Sequence, residues 1–575
     1  MLKLFNGLKQ YTIPIIITFT LLIIRSLSDL YLPTITADIV NIGIVESDTQ
    51  YILKMGGFMI AIAAFGSLCS IIASYLIAKT SNGFSEKLRD EVFTKVASFS
   101  LHEFDQFGTA SLITRTTNDI TQIRMIMDFG LRMMVMAPIM SLGSVAMAFS
   151  KDATLTIIFI VIIPILGSVV YIIMRKGLPF FGAMQKKLDS LNLVLRENLI
   201  GIQVIRASNR DHSEKERFED INKDYSSTSI RVNRIMGTLM PLVTLIMNLA
   251  IISIVWFGGI RINLGYMQVG DLIAFIQYAM LVMTSVMAFT RVFIILPRAS
   301  ASATRINEIL NTEAKIKDTL ELEKPDKKHG YIEFKDVTFS YPGAECPALH
   351  NISFSTGPGE ITAIIGGTGS GKSTLVNLIL RFYDVDSGCI LVNDIDIRNT
   401  TQESLRKKIG YVPQKSSLFS GTISENIKYG NDNGNLDDII QAADTAQASE
   451  FISLMKEGFD SVISQGGKNI SGGQKQRLAI ARALIRKPEI YIFDDCFSAL
   501  DYKTDVNLRT ALYKNTTQST VLVVSQRVNS VKEADQIIVL ESGKIVGIGV
   551  HSELLENNEI YQEIVSSQLT KEEIA

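Results

Sequence analysis

Six stretches of roughly 20 residues with few charges, all before Pro297, constrain this chain more than any other feature. They run over Tyr11 to Leu32, Leu53 to Ala78, Met133 to Phe149, Leu155 to Met174, Leu239 to Ile260 and Leu272 to Leu296. Inside a bilayer the backbone must satisfy its own hydrogen bonds, so stretches of this length predict membrane-spanning helices. None follows Gly330. The 575 residues also exceed what one hydrophobic core can fill, so at least two domains are expected.

The connections between the stretches alternate in character. Lys79 to Arg132 and Arg175 to Arg234 are long and rich in Lys and Arg, whereas the opposite side carries Glu46, Asp48, Lys151 and Arg261. The excess of cations predicts that the long connections and both termini are cytosolic. Met1 to Gln10, with Lys3 and Lys9, leads into an apolar run too long for a signal-peptide core, so it is expected to be an uncleaved first span. Leu88, Val92, Phe93 and Val96, and likewise Leu188, Leu191, Val194 and Leu195, recur at helical spacing. The spans therefore continue as helices into the cytosol, and at about 1.5 Å per residue their tips lie a few tens of ångströms from the membrane. Arg25, Asp29, Asn248, Gln277 and Arg291 lie at or near membrane depth, and Arg25 and Asp29, four residues apart, are placed to pair. Methionines crowd the third and sixth stretches, as suits a wall that repacks around varied apolar ligands.

Composition excludes little else. A net charge of -2 without a basic groove argues against nucleic acid as a partner. Cys69, Cys346, Cys389 and Cys496 lack metal-ligand spacing and are expected to be free, buried thiols.

From Tyr331 onward, short β-rich runs broken by glycine and charge indicate a soluble α/β domain, after a charged linker over Thr312 to His329. The apolar run Ile361 to Ile365 leads directly into Gly366-Gly-Thr-Gly-Ser-Gly-Lys-Ser373, a phosphate-binding loop in strand, loop, helix context. Its glycines expose backbone amides at a helix N-terminus. Gly366, Gly367, Thr368, Gly369, Ser370, Gly371 and Thr374 are assigned to the nucleotide, Lys372 to its β/γ oxygens and Ser373 to Mg²⁺. A second strand, Ile490 to Phe493, ends in Asp494, positioned for the Mg²⁺ shell, and Asp495. Between the two lies Ile470-Ser-Gly-Gly-Gln474, opening a helix whose N-terminus offers Ser471, Gly472, Gly473 and Gln474 to an anion.

That order of motifs resembles the ATP-binding cassette (ABC) family, and the likeness covers nearly the whole chain. The implied fold is a multidomain one: an α-helical six-span transmembrane bundle with long cytosolic hairpins over residues 1–311, a linker over 312–329, and an α/β P-loop NTPase domain over 330–575. It implies an exporter half-transporter that hydrolyses ATP with Mg²⁺ in the cell membrane of a bacterium, works beside a second half-transporter subunit, and moves amphipathic small molecules or lipids. The resemblance gives Tyr341 the adenine, Gln414 in Tyr411-Val-Pro-Gln a role at Mg²⁺ and in sensing the hairpins, and Asp501 in Ser498-Ala-Leu-Asp a place in the loop facing the partner. It also places Gly108 to Asp119 and Glu197 to Arg206 beside the hairpin tips. Too few residues precede the first stretch for a leader peptidase.

Two departures from the family pattern shape the expectation. The glutamate that orients the attacking water is replaced by Asp495, one methylene shorter, and the histidine that meets the γ-phosphate by Gln526, which cannot carry a proton. Ser464-Gln465-Gly-Gly467 also lacks the glutamate expected before the signature. The chain thus resembles the degenerate half of a heterodimer, with an impaired site of its own and an intact signature for the partner's site. A slow homodimeric exporter and a non-pumping ATP-gated channel or sensor are the alternatives.

Overall fold

Each apolar stretch lies toward one end of a longer helical run, because amphipathic sequence continues the 3.6-residue period past one membrane boundary. The computed structural model describes residues 6–318 and 329–569, in two compact units. The first takes the residues up to Ala97 together with Ala110–Thr312. The second takes Ser98–Thr109 together with the residues from Glu313 onward. Of the expected linker, residues 319–328 lie outside the described ones.

In the first unit, six helices are long and apolar enough to cross a membrane: Gly7–Ile44, Thr49–Ala97, Thr109–Lys151, Ala153–Ile200, Asp211–Asn263 and Val269–Asn311. They are called the first to sixth spans below. Several reach 48 to 53 residues and run well past the apolar stretches; the fifth is broken at Thr238, between the helices Asp211–Gly237 and Leu239–Asn263. Phe159, Phe275 and Tyr278 fill the bundle core, and the Tyr278 hydroxyl lies 2.8 Å from Thr34 Oγ1. Three ion pairs lie in the spans or at their ends, where exposing charge to lipid is costly. Arg25 Nε meets Asp29 Oδ2 at 2.9 Å, Lys151 meets Asp271 at 3.1 Å, and Arg261 pairs with Asp152. The fourth and fifth spans are joined beyond the apolar stretches by Lys187 to Asp224 and by Arg217 to Glu197 at 2.8 Å.

The second unit is built on three sheets. β1 (Ile332–Phe339), β2 (Leu349–Thr356), β4 (Ser387–Val392) and β5 (Ile395–Asp396) form an antiparallel sheet in the order β2-β1-β4-β5. β1 is bent where Asp336 takes a φ of 48° and the register shifts. The larger sheet has the order β12-β11-β3-β10-β9-β6, using β3 (Ile361–Ile365), β6 (Ile409–Val412), β9 (Ile490–Asp494), β10 (Thr520–Ser525), β11 (Gln536–Glu541) and β12 (Lys544–Gly549). All its neighbours pair in parallel except β11 with β12. A small pair, β7 (Gly421–Thr422) and β8 (Val462–Ile463), completes the unit. β9 and β10 are buried throughout, as strands covered on both faces must be.

The thiols correct one expectation. All four cysteines are free, and Cys69 and Cys496 are buried, but Cys346 is exposed and Cys389 partly so. Cys346 lies in the loop between β1 and β2, outside any apolar core.

Candidate functional site

Parallel strands end on one edge of a sheet, and this edge collects the chemistry. β10 lies between β3 and β9, pairing Ser525 with Ile365 on one side and Val524 with Asp494 on the other. The phosphate loop after β3, the Asp494-Asp495 tip of β9 and Gln526 after β10 are therefore neighbours. They line a cavity of about 410 Å³ together with Tyr341 and Gln414.

The loop closes on itself as its glycines permit. Gly369 and Gly371 take φ of 82° and 100°, the left-handed region that a side chain disfavours. Gly366 packs closely against β11, where a Cβ would meet Leu540 O at 2.1 Å. Gly367 lines an adjoining cavity with Glu541 and Ser542 instead. Thr368, Gly369, Ser370, Gly371, Lys372, Ser373 and Thr374 all face the main cavity. Lys372 Nζ, largely buried, donates to Gly366 O at 2.8 Å and to Gly367 O at 2.7 Å. Burial holds the Lys372 ammonium below its ordinary pKa, against the pull of Asp495 and Asp494.

Ser373 Oγ donates to Asp494 Oδ1 at 3.2 Å, and Gln414 Nε2 donates to Asp495 Oδ2 at 3.1 Å. Burial pushes the Asp494 carboxyl above its ordinary value, so an adjacent cation would favour its charged form. A hydroxyl, carboxylates and an amide oxygen within one pocket are the hard oxygen donors that Mg²⁺ takes, without the acidic cage that calcium prefers. No cluster of three or more His, Cys, Asp or Glu suited to a metal occurs among the described residues. Asp495 sits at a φ of 46°, in the left-handed region where non-glycine residues carry strain.

Tyr341 Oη lies 3.1 Å from Thr374 Oγ1, and its ring packs edge-on against Tyr383 at 5.4 Å. The Tyr383 hydroxyl donates to Asp105 Oδ2 at 2.9 Å. Asp105 belongs to the short helix Leu101–Phe107 at the tip of the first hairpin. Ser100 and Glu103 cap that helix reciprocally, Ser100 N reaching Glu103 Oε2 at 2.8 Å. Tyr383 and Asp105 were not legible as site residues, because their signal is a contact between segments 278 positions apart.

The signature and Asp501 are not among the side chains lining the cavity. Ser471, exposed, caps the helix Gly472–Leu484 and accepts from Gln474 N at 3.3 Å, while Ser471 N donates to Gln474 Oε1 at 2.9 Å. Asp501 caps the helix Tyr502–Asn515, and the Thr504 amide holds its carboxyl below its ordinary pKa.

Comparison with known proteins agrees with this arrangement. Residues 15–286 match the family model of the ABC transporter transmembrane region, and residues 349–498 match that of the ABC transporter. An uncharacterized ABC transporter ATP-binding protein of Mycobacterium tuberculosis is 41% identical over 98% of this chain and 97% of its own length. The YfiB protein of Bacillus subtilis, of the same description, is 39% identical over 100% of this chain and 99% of its own. A fatty acid ABC transporter ATP-binding/permease protein of Mycobacterium bovis is 32% identical over 83% of this chain and 75% of its length. The fold is similar to a solved bacterial Atm1-family ABC exporter, with a TM-score of 0.81, 23% identity, and coverage of 97% of this chain and 98% of that one.

Proposed function

The chain belongs to the ABC transporter family, as an exporter half-transporter whose ATPase is coupled to transport, and from that premise we propose that it is the degenerate subunit of a heterodimeric exporter. In this reading it lies in the bacterial cell membrane with its ATPase cytosolic, and moves amphipathic small molecules or lipids. A relative named as a fatty acid transporter supports a substrate with an apolar tail.

The phosphate loop and Lys372 hold ATP, Tyr341 takes the adenine, and Ser373, Asp494 and Gln414 supply oxygen donors for Mg²⁺. Bound there, Mg²⁺ neutralises charge on the phosphates. Ser471 to Gln474 and Asp501, outside this chain's own cavity, serve the partner's ATP.

The observation that carries the degenerate reading is Asp495 in the base position. Its carboxylate is one methylene short, accepts from Gln414, and has Gln526 rather than a proton-carrying histidine in the same cavity. Asp495→Asn should lower turnover of the heterodimer only a few-fold. A working general base contributes about 10²-fold or more, which is the loss expected for Glu→Gln at the partner's equivalent position. Phosphate release by purified heterodimers measures both. A loss of about 10²-fold on Asp495→Asn would establish a competent site in this chain. Export itself is tested by ATP-dependent dye accumulation in inside-out vesicles carrying both subunits, which a channel or sensor would not produce.

The Tyr341, Tyr383, Asp105 series gives the nucleotide a route to the hairpin tip. Tyr383→Phe removes one buried donor, worth about 1 kcal/mol, and leaves the ring contacts in place. Nucleotide affinity should stay within about two-fold of the parent while substrate stimulation of the ATPase falls by half or more. Equal stimulation in parent and variant would show that Tyr383 only packs.

A further inference from the structure

A further cavity, of about 810 Å³, lies between the third, fourth and sixth spans, beside the end of the sixth apolar stretch and beyond the ends of the third and fourth. Drug-sized ligands occupy pockets of about 300–1,000 Å³. Three helical stripes build it. Arg298, Ala301, Ser302 and Arg305 follow the i, i+3, i+4, i+7 spacing on the sixth span, just past Pro297. Thr114, Asn118 and Gln122 repeat every four residues on the third, and Phe181, Met184 and Gln185 form a half-apolar stripe on the fourth.

Its charges do not cancel. The buried Asp119 carboxylate accepts from Arg305 Nε at 2.7 Å and from Ser302 Oγ at 2.8 Å. Arg115, on the same side of the third span, pairs with Glu308 at 2.7 Å. The π-helical stretch Arg115–Asp119 is a local widening of the third span, of the kind often found at functional sites. Arg298 remains: it is exposed, lines the cavity, and has no hydrogen-bond or ion-pair partner among the described residues. One guanidinium with Asn118, Gln122 and Gln185 amides around it suits an anion with several acceptor oxygens, while Phe181, Met184 and Pro297 offer it an apolar flank.

We propose that this cavity binds the anionic headgroup, carboxylate or phosphate, of a single-tailed or bilayer amphiphile, with Arg298 as the cation that selects it. The proposal rests on the exporter reading and names the substrate class within it. A cation left unpaired at the end of the sixth apolar stretch favours anionic over neutral or cationic amphiphiles of equal tail length, since tail burial contributes equally to all three.

The test uses the purified full-length transporter with its partner subunit in nanodiscs. Binding of dodecyl phosphate, dodecanoate, dodecanol and dodecyltrimethylammonium is followed by competition against a fluorescent dodecyl phosphate analogue and by ATPase stimulation. Dodecyl phosphate and dodecanoate should bind at least tenfold more tightly than the other two. Arg298→Gln should abolish that preference, and Arg298→Lys should restore most of it. Discs of phosphatidylcholine alone and discs containing phosphatidylglycerol separate the two sources of the headgroup. Competition by phosphatidylglycerol assigns the site to bilayer lipid, and its absence assigns it to the free amphiphile.

Equal affinity for all four probes, or an anion preference untouched by Arg298→Gln, overturns the proposal. ATP-driven dye accumulation in inside-out vesicles is scored in parallel. Accumulation without Arg298-dependent binding leaves the exporter and removes this site, whereas Arg298-dependent binding without accumulation keeps the site and removes the exporter.

Discussion

Ser471→Ala or Gly473→Asp is expected to lower ATP turnover of the assembled transporter by about 10²-fold or more, although neither residue lines this chain's own nucleotide cavity. The reason is positional. Ser471 is exposed at the start of the helix Gly472–Leu484, where a hydroxyl and free amides face outward rather than into the cavity beside Lys372. A donor aimed at developing phosphate charge is worth far more in the transition state than its local role would suggest. That local role has a known size. Removing an N-cap serine costs about 1 kcal/mol of helix stability, which a folded transporter can absorb. At Gly473 a Cβ would come within 3.2 Å of Ala499 O, a contact that a shift of a few tenths of an ångström relieves, so the aspartate acts through its charge. Steady-state phosphate release at saturating Mg·ATP gives the turnover, and an unchanged thermal midpoint shows that the protein is intact. Near-normal turnover in the folded variants would refute a site completed by the partner's signature.

The parts of this molecule legible in sequence share one property: their signal is local. Six apolar stretches announce six helices because each must satisfy its own backbone in lipid. Gly366 to Ser373 announces a phosphate loop because strand, glycines, lysine and hydroxyl are contiguous. What stayed hidden depends on contacts distant in sequence. The segment Ser98–Thr109 belongs to the second unit, yet nothing in its composition separates it from the hairpin that carries it. Asp119 was visible only as part of a hairpin motif, and its burial against Ser302 and Arg305 depends on a helix more than 180 positions away. The close packing of Gly366 against β11 depends on the order of strands in the sheet. Cys346 was expected inside because cysteine is commonly buried, but its loop packs into no core.

Lys372→Ala is the other substitution with a large expected effect, and it acts on binding rather than on turnover alone. In the folded chain the Lys372 ammonium is already desolvated, and the carbonyls of Gly366 and Gly367 hold it at the bottom of the cavity, with Ser370 Oγ at 3.3 Å. Its dehydration is therefore completed during folding, so on binding it exchanges neutral acceptors for charged phosphate oxygens at little further desolvation cost. Two such exchanges, each gaining about 1–1.5 kcal/mol over a neutral acceptor, correspond to about 10²-fold in affinity. The alanine variant should thus bind ATP about 10²-fold more weakly at this chain's site, and labelling of this subunit by a photoreactive ATP analogue should nearly vanish. Because the lysine is largely buried beside Asp494 and Asp495, its removal also leaves those carboxylates without the positive charge that offsets theirs. Lys372→Met separates the two effects by keeping the buried stem while losing the charge: labelling should be lost as in the alanine variant. Labelling retained by both variants would mean that the backbone amides of Thr368 to Ser373 suffice for the phosphates and that Lys372 serves only to shape the loop.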